Sequence, residues 1–119
     1  MLKKIANIIK IINNIKIGYY DTLKVLKNYD GRRFIFKKLP NFYYNFVLKK
    51  VSDNDIKKYK LIFNASNNKD LVIKMIEYAM QKDDVTYFNI YNINKMIKKY
   101  KKSNNKYGAY KIIKQFKCF

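Results

Sequence analysis

The sequence predicts a small α/β (α+β) domain, and three observations support this fold class. Leu2–Ile17 and Lys69–Lys82 carry apolar residues three and four positions apart, which is the spacing of one helix face. Arg32–Leu39 is instead a run of β-favouring residues with a period of two. Because 49% of the 119 residues are hydrophobic, the chain can bury a core. We expect one small domain, or two small lobes, with an N-terminal helix, a strand–helix–strand unit, and then a helix and short strands.

The first helix is predicted over Leu2–Ile17, and Gly18 is expected to end it. Its apolar face comprises Ile5, Ile8, Ile9, Ile12 and Ile15. Lysines precede this run, as in a signal peptide, but polar residues interrupt it and no small-residue cleavage site follows, so we expect no signal peptide. Tyr19–Tyr29 fits either a short helix or an irregular connection, and Asp30-Gly31 is typical of a tight turn.

The central unit begins with a strand over Arg32–Leu39. Phe34 and Phe36 share one face of this period-two ribbon, and Ile35 lies on the other. Pro40 ends the strand because proline lacks the backbone N–H that pairing requires.

A helix and a second strand complete the unit. Asn41 is expected to cap the helix, whose apolar residues recur at three- and four-residue spacing at Phe42, Tyr43, Phe46, Val47 and Val51. Ser52–Asp55 is rich in turn-forming residues, and Tyr59–Phe63 is predicted to be a strand. Three phenylalanines are expected on core faces, at Phe42, Phe46 and Phe63.

The second half of the chain opens with the clearest helix, Lys69–Lys82, which has an aspartate in its first turn and a lysine in its last. Asp83-Asp84 then predicts a turn, and Val85–Ile90 a strand. Asn94–Lys102 reads as a short, very basic helix, and Ala109–Ile113 as a last strand.

No internal repeat and no linker marks a domain boundary. We divide the chain for description into residues 1–63, the N-terminal helix with the strand–helix–strand unit, and residues 64–119, a helix with a basic C-terminal lobe. We expect the two parts to share one core.

The charge of the chain points to an anionic partner. The 27 basic and 8 acidic residues give a net charge of +19, and Glu77 is the single glutamate. Such a charge on a small domain repels itself unless an anion neutralises it, and nucleic acid is the usual anion. A membrane surface is the alternative, but the predicted first helix has few cations on its polar face. No apolar run reaches the roughly 18 residues that span a bilayer.

Four basic patches with almost no acids between them predict a phosphate-binding footprint. Arg32 and Arg33 are the first candidates, because a guanidinium binds phosphate bidentately and lysine does not. Tyr107 lies in a basic loop, where it could stack on a base. The full set of predicted RNA-binding residues is Lys10, Asn13, Asn14, Arg32, Arg33, Lys37, Lys38, Lys98, Lys99, Lys101, Lys102, Lys106, Tyr107 and Lys111. The four patches are Arg32-Arg33 with Lys37-Lys38, Lys49-Lys50, Lys57-Lys58-Lys60, and Lys95-Lys98-Lys99-Lys101-Lys102.

Catalysis is not expected. The aspartate pairs Asp53 with Asp55 and Asp83 with Asp84 lie in predicted turns, and the chain has no histidine. Cys118 is the single cysteine and has no histidine to activate it. We therefore expect no catalytic residue, no metal site, no cofactor and no small-molecule substrate.

Several short motifs occur in the order of a known family. Ile5–Asn14 follows an Ile-Ala-polar-apolar-apolar pattern, Val47–Lys49 closes the predicted central helix, and Ile56–Lys60 is an Ile-basic-aromatic-Lys segment. Lys106–Gly108, followed by Tyr110–Ile113, completes the series. Over about half of its length the chain thus resembles the family of the eighth ribosomal protein of the small subunit, in a divergent organellar form. That resemblance implies rRNA binding.

The chain also departs from that family. Lys114–Lys117 stands where the family has a Ser-Thr-Ser-basic-Gly segment that contacts RNA, and the family's closing Gly-Gly-acidic segment is missing. Richness in Ile, Lys, Asn and Tyr indicates an AT-rich genome, as in many organelles.

The sequence therefore predicts a structural constituent of a ribosome, which we expect to be mitochondrial, with rRNA and neighbouring ribosomal proteins as partners and no membrane association. The alternative is a viral or nucleoid protein that packages nucleic acid without sequence preference.

Overall fold

Five helices and a three-stranded sheet make up residues 29–87 and 89–119, the part of the chain that the computed structural model describes. This confirms the predicted α+β class. The elements are β1 (Tyr29–Asp30), β2 (Ile35–Lys37), α1 (Asn41–Val47), α2 (Asp53–Phe63), α3 (Asn68–Lys82), β3 (Ile90–Tyr91), α4 (Ile93–Lys101) and α5 (Ala109–Ile113). The predicted helix Leu2–Ile17, with Lys10, Asn13 and Asn14, lies outside the described residues.

The sheet is small, and β2 is its central strand. β1 pairs with β2 antiparallel and β3 pairs with β2 parallel, so that Phe36 lies between Asp30 and Tyr91. The strand predicted over Arg32–Leu39 is therefore shorter than expected. All three residues 34–36 are buried, and Phe34 and Phe36, predicted to share one face, both belong to the hydrophobic core.

Helix α3 is the centre of the domain and confirms the helix predicted at Lys69–Lys82. It packs against α1, α2, α4 and α5. The Asn67 side chain caps it by accepting the backbone N–H of Asp70 at 2.8 Å. Its buried residues lie on nearly every side, which is why it contacts four other helices: Leu71, Val72, Ile73, Met75, Ile76, Glu77, Ala79 and Met80.

Helix α1 differs from prediction at its start. Pro40 occupies the N-cap position, so Asn41 is the first helical residue and makes no capping hydrogen bond. Phe42 was expected in the core and is 71% exposed, because the helix turns Tyr43 and Tyr44 inward instead. The other two predicted core phenylalanines, Phe46 and Phe63, are only partly buried.

Helix α2 replaces both the turn predicted at Ser52–Asp55 and the strand predicted at Tyr59–Phe63, so both predictions are wrong. The Ser52 hydroxyl accepts the backbone N–H of Asp55 at 3.2 Å, which is an N-cap rather than a turn. Asp53 and Asp55 lie in the first turn, where the helix dipole favours carboxylates. Asn64 ends the helix in the left-handed conformation, with φ of 53°.

The C-terminal elements are more helical than predicted. Among the described residues of the strand predicted at Val85–Ile90, only Ile90 is in a strand, β3, which continues to Tyr91. The basic helix is confirmed as α4. The strand predicted at Ala109–Ile113 is wrong, since α5 occupies this segment and buries residues at helical spacing.

The chain after α5 returns to α1. The Lys117 backbone N–H donates to the Val47 carbonyl at 2.9 Å. The Asn94 side chain accepts the Phe119 N–H and donates to its carbonyl, both at 2.9 Å. The hydrophobic core accordingly includes residues from Phe34 to Phe116, while the division at residue 63 stays a prediction.

Candidate nucleic-acid interface

The outer side of α4 carries lysines, whereas its inner side packs in the core. Asn92 caps the helix by accepting the Lys95 N–H at 3.2 Å. Ile93, Ile97 and Tyr100 are buried, which leaves the intervening positions in solvent. Lys95, Lys98, Lys99 and Lys102 are all exposed. Side chains three and four residues apart on a helix are neighbours, so these ammonium groups line one side of α4.

One of these lysines is paired. The Lys99 ammonium lies 3.0 Å from the Asp83 carboxylate, and both side chains are 51% exposed. The hydrogen bond from Lys99, then its charge, holds the pKa of Asp83 below its ordinary value. The Tyr100 hydroxyl also donates to Asp83, at 3.3 Å. Within the described residues, Lys95, Lys98 and Lys102 have no such carboxylate partner.

Two further lysines bind main-chain carbonyls inside the protein. Lys101, a predicted RNA contact, donates to the Phe116 carbonyl and is only partly exposed. Lys114 donates to the carbonyls of Lys101, at 3.0 Å, and Ser103. These carbonyls follow the last turns of helices, where cations are favoured. Lys101 and Lys114 therefore connect α4 to the segment after α5.

The loop between α4 and α5 presents an aromatic ring among cations. The Asn105 side chain accepts the Tyr107 N–H at 3.0 Å, and the Tyr110 N–H donates to the Tyr107 carbonyl at 3.2 Å. Gly108 takes φ of 59° and ψ of −132°, which closes this tight turn. Tyr107 is left 85% exposed. We call the exposed residues of this region the C-terminal basic surface: Lys95, Lys98, Lys102, Lys106, Tyr107 and Lys111.

The predicted arginine pair lies in a turn built around Glu77. One carboxylate oxygen of Glu77 accepts the backbone N–H groups of Arg32, Arg33 and Phe34, at 2.9, 2.6 and 2.8 Å. Gly31 precedes the turn with φ of 109°, and a Cβ there would lie 2.0 Å from the Phe34 carbonyl oxygen. Both arginine side chains are exposed. The turn thus fixes the backbone and leaves the guanidinium groups in solvent.

The two arginines differ in their surroundings. The Arg32 guanidinium is 3.7 Å from the Asp70 carboxylate, which also binds Lys74 at 3.3 Å. Arg33 has no ion pair among the described residues. A pocket of about 260 Å³ opens beside them. We call it the arginine pocket, and its lining residues are Arg32, Arg33, Phe63, Lys74, Glu77, Tyr78 and Gln81.

The structure distributes the predicted site residues over three places. Lys37 and Lys38 are exposed at the end of β2. Continuing the β2–β3 register by one residue places Lys37 beside Asn92, the N-cap of α4. The arginine pair lies elsewhere, in the turn between β1 and β2 that Glu77 of α3 holds, and the remaining described residues belong to α4, α5 and their loop. Sequence reasoning did not identify Tyr78 and Gln81, and it assigned Phe63 only to the core.

The aspartates of the two predicted pairs have local roles. Asp53 and Asp55 lie at the start of α2, and Asp83 pairs with Lys99. Across the described ranges, no three carboxylate or thiol groups are grouped so that they could hold a metal ion. Likewise, no helix in the described part of the chain has the length and apolar character needed to cross a membrane.

Comparisons with protein-family models, curated proteins and solved structures found no match. The resemblance to the ribosomal family therefore stays a hypothesis. Its Ile56–Lys60 segment was expected in a strand and lies in α2.

Proposed function

We propose that this protein is a non-catalytic RNA-binding protein that neutralises closely spaced phosphates with the C-terminal basic surface. The observation that carries the proposal is the charge of the region after residue 85, which contains nine lysines and no acidic residue. Most of these ammonium groups are exposed, and Lys99 is the one that pairs with a carboxylate in the described structure.

The exposed ring beside the lysines supports binding of unpaired bases. Proteins that recognise RNA commonly stack aromatic side chains on unpaired bases, which loops and bulges of RNA supply. Tyr107 is held by its loop with its ring in solvent and Lys106 next to it. Phosphate contacts would fix the orientation of the protein, and this ring would contact a base.

Within this function, we propose a ribosomal subunit, in a mitochondrion, as the particle that holds the protein. The motif order described above supports that setting, and so does the AT-rich composition. The proposal that the C-terminal basic surface binds RNA does not depend on this ribosomal setting, since lysines bind phosphate in any ribonucleoprotein. The role is architectural: a folded core holds the cations in a fixed arrangement that fits one RNA junction by shape.

The test of RNA binding compares two triple variants. Lys95→Gln, Lys98→Gln and Lys102→Gln remove three charges from α4, and glutamine keeps its helix propensity. Lys49→Gln, Lys50→Gln and Lys57→Gln are the control, removing three exposed lysines elsewhere. We expect the α4 variant to flatten the slope of log affinity against log salt for single-stranded RNA by about 2, at about 0.7 per lost phosphate contact. An α4 variant whose slope is no flatter than that of the wild-type protein would contradict the proposed surface.

The test of the particle is sedimentation of the protein in a native lysate of its source, with the bound nucleic acid sequenced. Co-migration with one ribosomal subunit and crosslinks confined to one rRNA region would support the ribosomal setting. Recovery of the protein bound uniformly along genomic nucleic acid would instead favour a packaging protein.

A further inference from the structure

The arginine pocket has aromatic walls that no other part of the proposed function uses. Phe63, at the end of α2, and Tyr78, on α3, meet edge to face, with ring centroids 5.7 Å apart and planes at 81°. Both rings are partly exposed. A planar group stacked on the face of one ring would therefore turn its own edge toward the other ring.

The same pocket offers polar groups around these rings. The Arg33 guanidinium and the Gln81 amide line it and are exposed. Gln81 can both donate and accept hydrogen bonds, as the edge of a nucleobase requires. Arg33 presents a planar cation that can bind a phosphate with two hydrogen bonds.

Glu77 does not exclude an anion from the pocket. One of its carboxylate oxygens is already surrounded by three backbone N–H groups. Arg33, which has no ion pair among the described residues, also lines the pocket and offsets this carboxylate.

The size of the pocket indicates a small ligand. Its volume of about 260 Å³ lies just below the range of about 300–1,000 Å³ that holds drug-sized molecules. Single-stranded nucleic-acid sites combine aromatic platforms with cations beside them, which is the arrangement found here.

The aromatic wall also continues toward the C-terminal basic surface. Tyr78 lies 6.3 Å from Tyr110 of α5 by ring centroids. The Lys82 ammonium is 4.9 Å from the centre of the Tyr78 ring. Lys111 follows Tyr110 and belongs to the basic surface. Tyr110 itself is buried, so a strand leaving the pocket past Tyr78 would meet the exposed ammonium groups of Lys82 and Lys111.

On the footing of the RNA-binding function proposed above, we propose that the arginine pocket binds one unstacked nucleotide of single-stranded RNA. Its base lies against Phe63 and Tyr78 with its edge toward Gln81, and its phosphate binds Arg33.

The experiment measures anisotropy of a fluorescein-labelled RNA octamer and of the same octamer with abasic central positions. The variants are Arg33→Ala, Arg33→Lys, Phe63→Leu and Gln81→Ala, and Lys50→Ala is the control because it removes one exposed charge that does not line the pocket. Saturation-transfer NMR with uridine monophosphate tests whether the pocket binds a single nucleotide, without contacts to a longer RNA backbone. Circular dichroism confirms that each variant is folded.

We expect base removal to weaken binding by the wild-type protein about tenfold, as loss of a stacked base does. Arg33→Ala should weaken binding of the intact octamer about tenfold, and Arg33→Lys should restore little of it. Phe63→Leu should bind the two octamers almost equally, and Gln81→Ala should reduce saturation transfer to the base.

Two results would overturn the pocket assignment and leave the RNA-binding function in place. One is equal wild-type affinity for the intact and abasic octamers. The other is an Arg33→Ala variant that binds no more weakly than Lys50→Ala. Failure of the wild-type protein to bind either octamer would overturn both proposals together.

Discussion

The carboxylate of Glu77 accepts the backbone N–H of Phe34 at 2.8 Å, although 43 residues separate them in sequence. The same oxygen accepts the N–H groups of Arg32 and Arg33. Three successive amides of an exposed turn are thus satisfied by one carboxylate that is itself buried in α3. The single glutamate of a strongly basic chain serves its structure, and it does so by shaping the turn that carries both arginines.

Replacing Glu77 should destabilise the protein more than replacing any exposed acid. Glu77→Leu removes the acceptor of three backbone N–H groups, and each unsatisfied group costs about 1–3 kcal/mol, so we expect a loss of roughly 3–5 kcal/mol in the free energy of unfolding. Glu77→Gln keeps one carbonyl oxygen and should lose about 1–2 kcal/mol. Urea denaturation measures both.

The matched control is Asp84→Asn. Asp84 is an exposed carboxylate with φ of 52°, a conformation that asparagine tolerates, so the change should stay within about 0.5 kcal/mol. If Glu77→Leu lowered the free energy of unfolding no more than this control does, the turn would not depend on Glu77.

Gly31 should tolerate substitution far less than Gly108, although both have positive φ. Gly31→Ala would place a methyl group 2.0 Å from the Phe34 carbonyl oxygen, so we expect a loss above about 3 kcal/mol. Nothing lies within 4 Å of a Cβ at Gly108, and Gly108→Ala should cost only its backbone strain, about 1 kcal/mol. Urea denaturation midpoints of Gly31→Ala and Gly108→Ala, each compared with wild type, measure the two losses of stability. Equal losses would show that Gly31 is not closely packed.

The helical state of residues 59–63 can be tested at Ser52 and Leu61. Ser52→Ala removes the N-cap of α2 and should cost about 1 kcal/mol. Leu61 is 84% exposed, because a helix turns it away from Tyr59 and Phe63, so Leu61→Gln should change stability by less than about 0.5 kcal/mol. A strand would put Leu61 on the same face as those rings. A large loss of stability in Leu61→Gln, with none in Ser52→Ala, would instead indicate that residues 59–63 form a strand.

The pKa of Asp83 should respond to Lys99 and not to its neighbour on α4. Lys99→Gln removes the hydrogen bond and charge that lower this pKa, so the carboxyl should titrate nearer the ordinary value of about 3.9. Lys98→Gln is the control, since its ammonium has no carboxylate partner among the described residues. Carbon-detected NMR titration of the carboxyl group measures both variants.

The sign of the linked stability follows from the lowered pKa. The Asp83–Lys99 pair stabilises the folded state above the ordinary aspartate pKa, and this contribution is lost as the pH falls through the lower pKa of the folded protein. The stability difference between wild type and Lys99→Gln should hence be present at neutral pH and vanish in strong acid. A difference that persists in acid would have another cause.

The helices that fold around an apolar stripe were predictable from sequence. In α3 the apolar positions coincide with the buried ones, and Asp70 and Lys82 lie at the ends that the dipole favours. In α4, Ile93, Ile97 and Tyr100 repeat at the same spacing. Local periodicity suffices here because each segment carries apolar residues at helical spacing, and these pack on the core.

Two segments were mistaken for strands because β-favouring residues outweighed helix signals nearby. In α2, Ser52 followed by Asp55 three residues later is a capping pattern, and Ile56, Tyr59 and Phe63 then recur at helical spacing. In α5 the residues are Ile- and Tyr-rich, and burial of one face against α3 and α4 decides the conformation. Tertiary packing overrides weak local preference in so short a segment.

The arginine pair was found from composition, but its pocket could not be. Arg33 is recognisable because arginine is rare in this chain, whereas Tyr78 and Gln81 are unremarkable residues of an amphipathic helix. The pocket joins residues 30 to 50 positions apart, and that contact depends on Glu77 holding the turn against α3. No local sequence pattern encodes such a contact.

Because α3 packs against four other helices, including α4 and α5, the cationic surface and the core belong to one cooperative unit. Binding of a polyanion to α4 and α5 is therefore thermodynamically linked to unfolding of the described domain. It raises the free energy of unfolding by an amount that grows with the ratio of ligand concentration to Kd. Saturating RNA should slow amide hydrogen exchange in α1, which packs against α3 and lies outside both proposed RNA sites, as strongly as at the surface where the RNA binds.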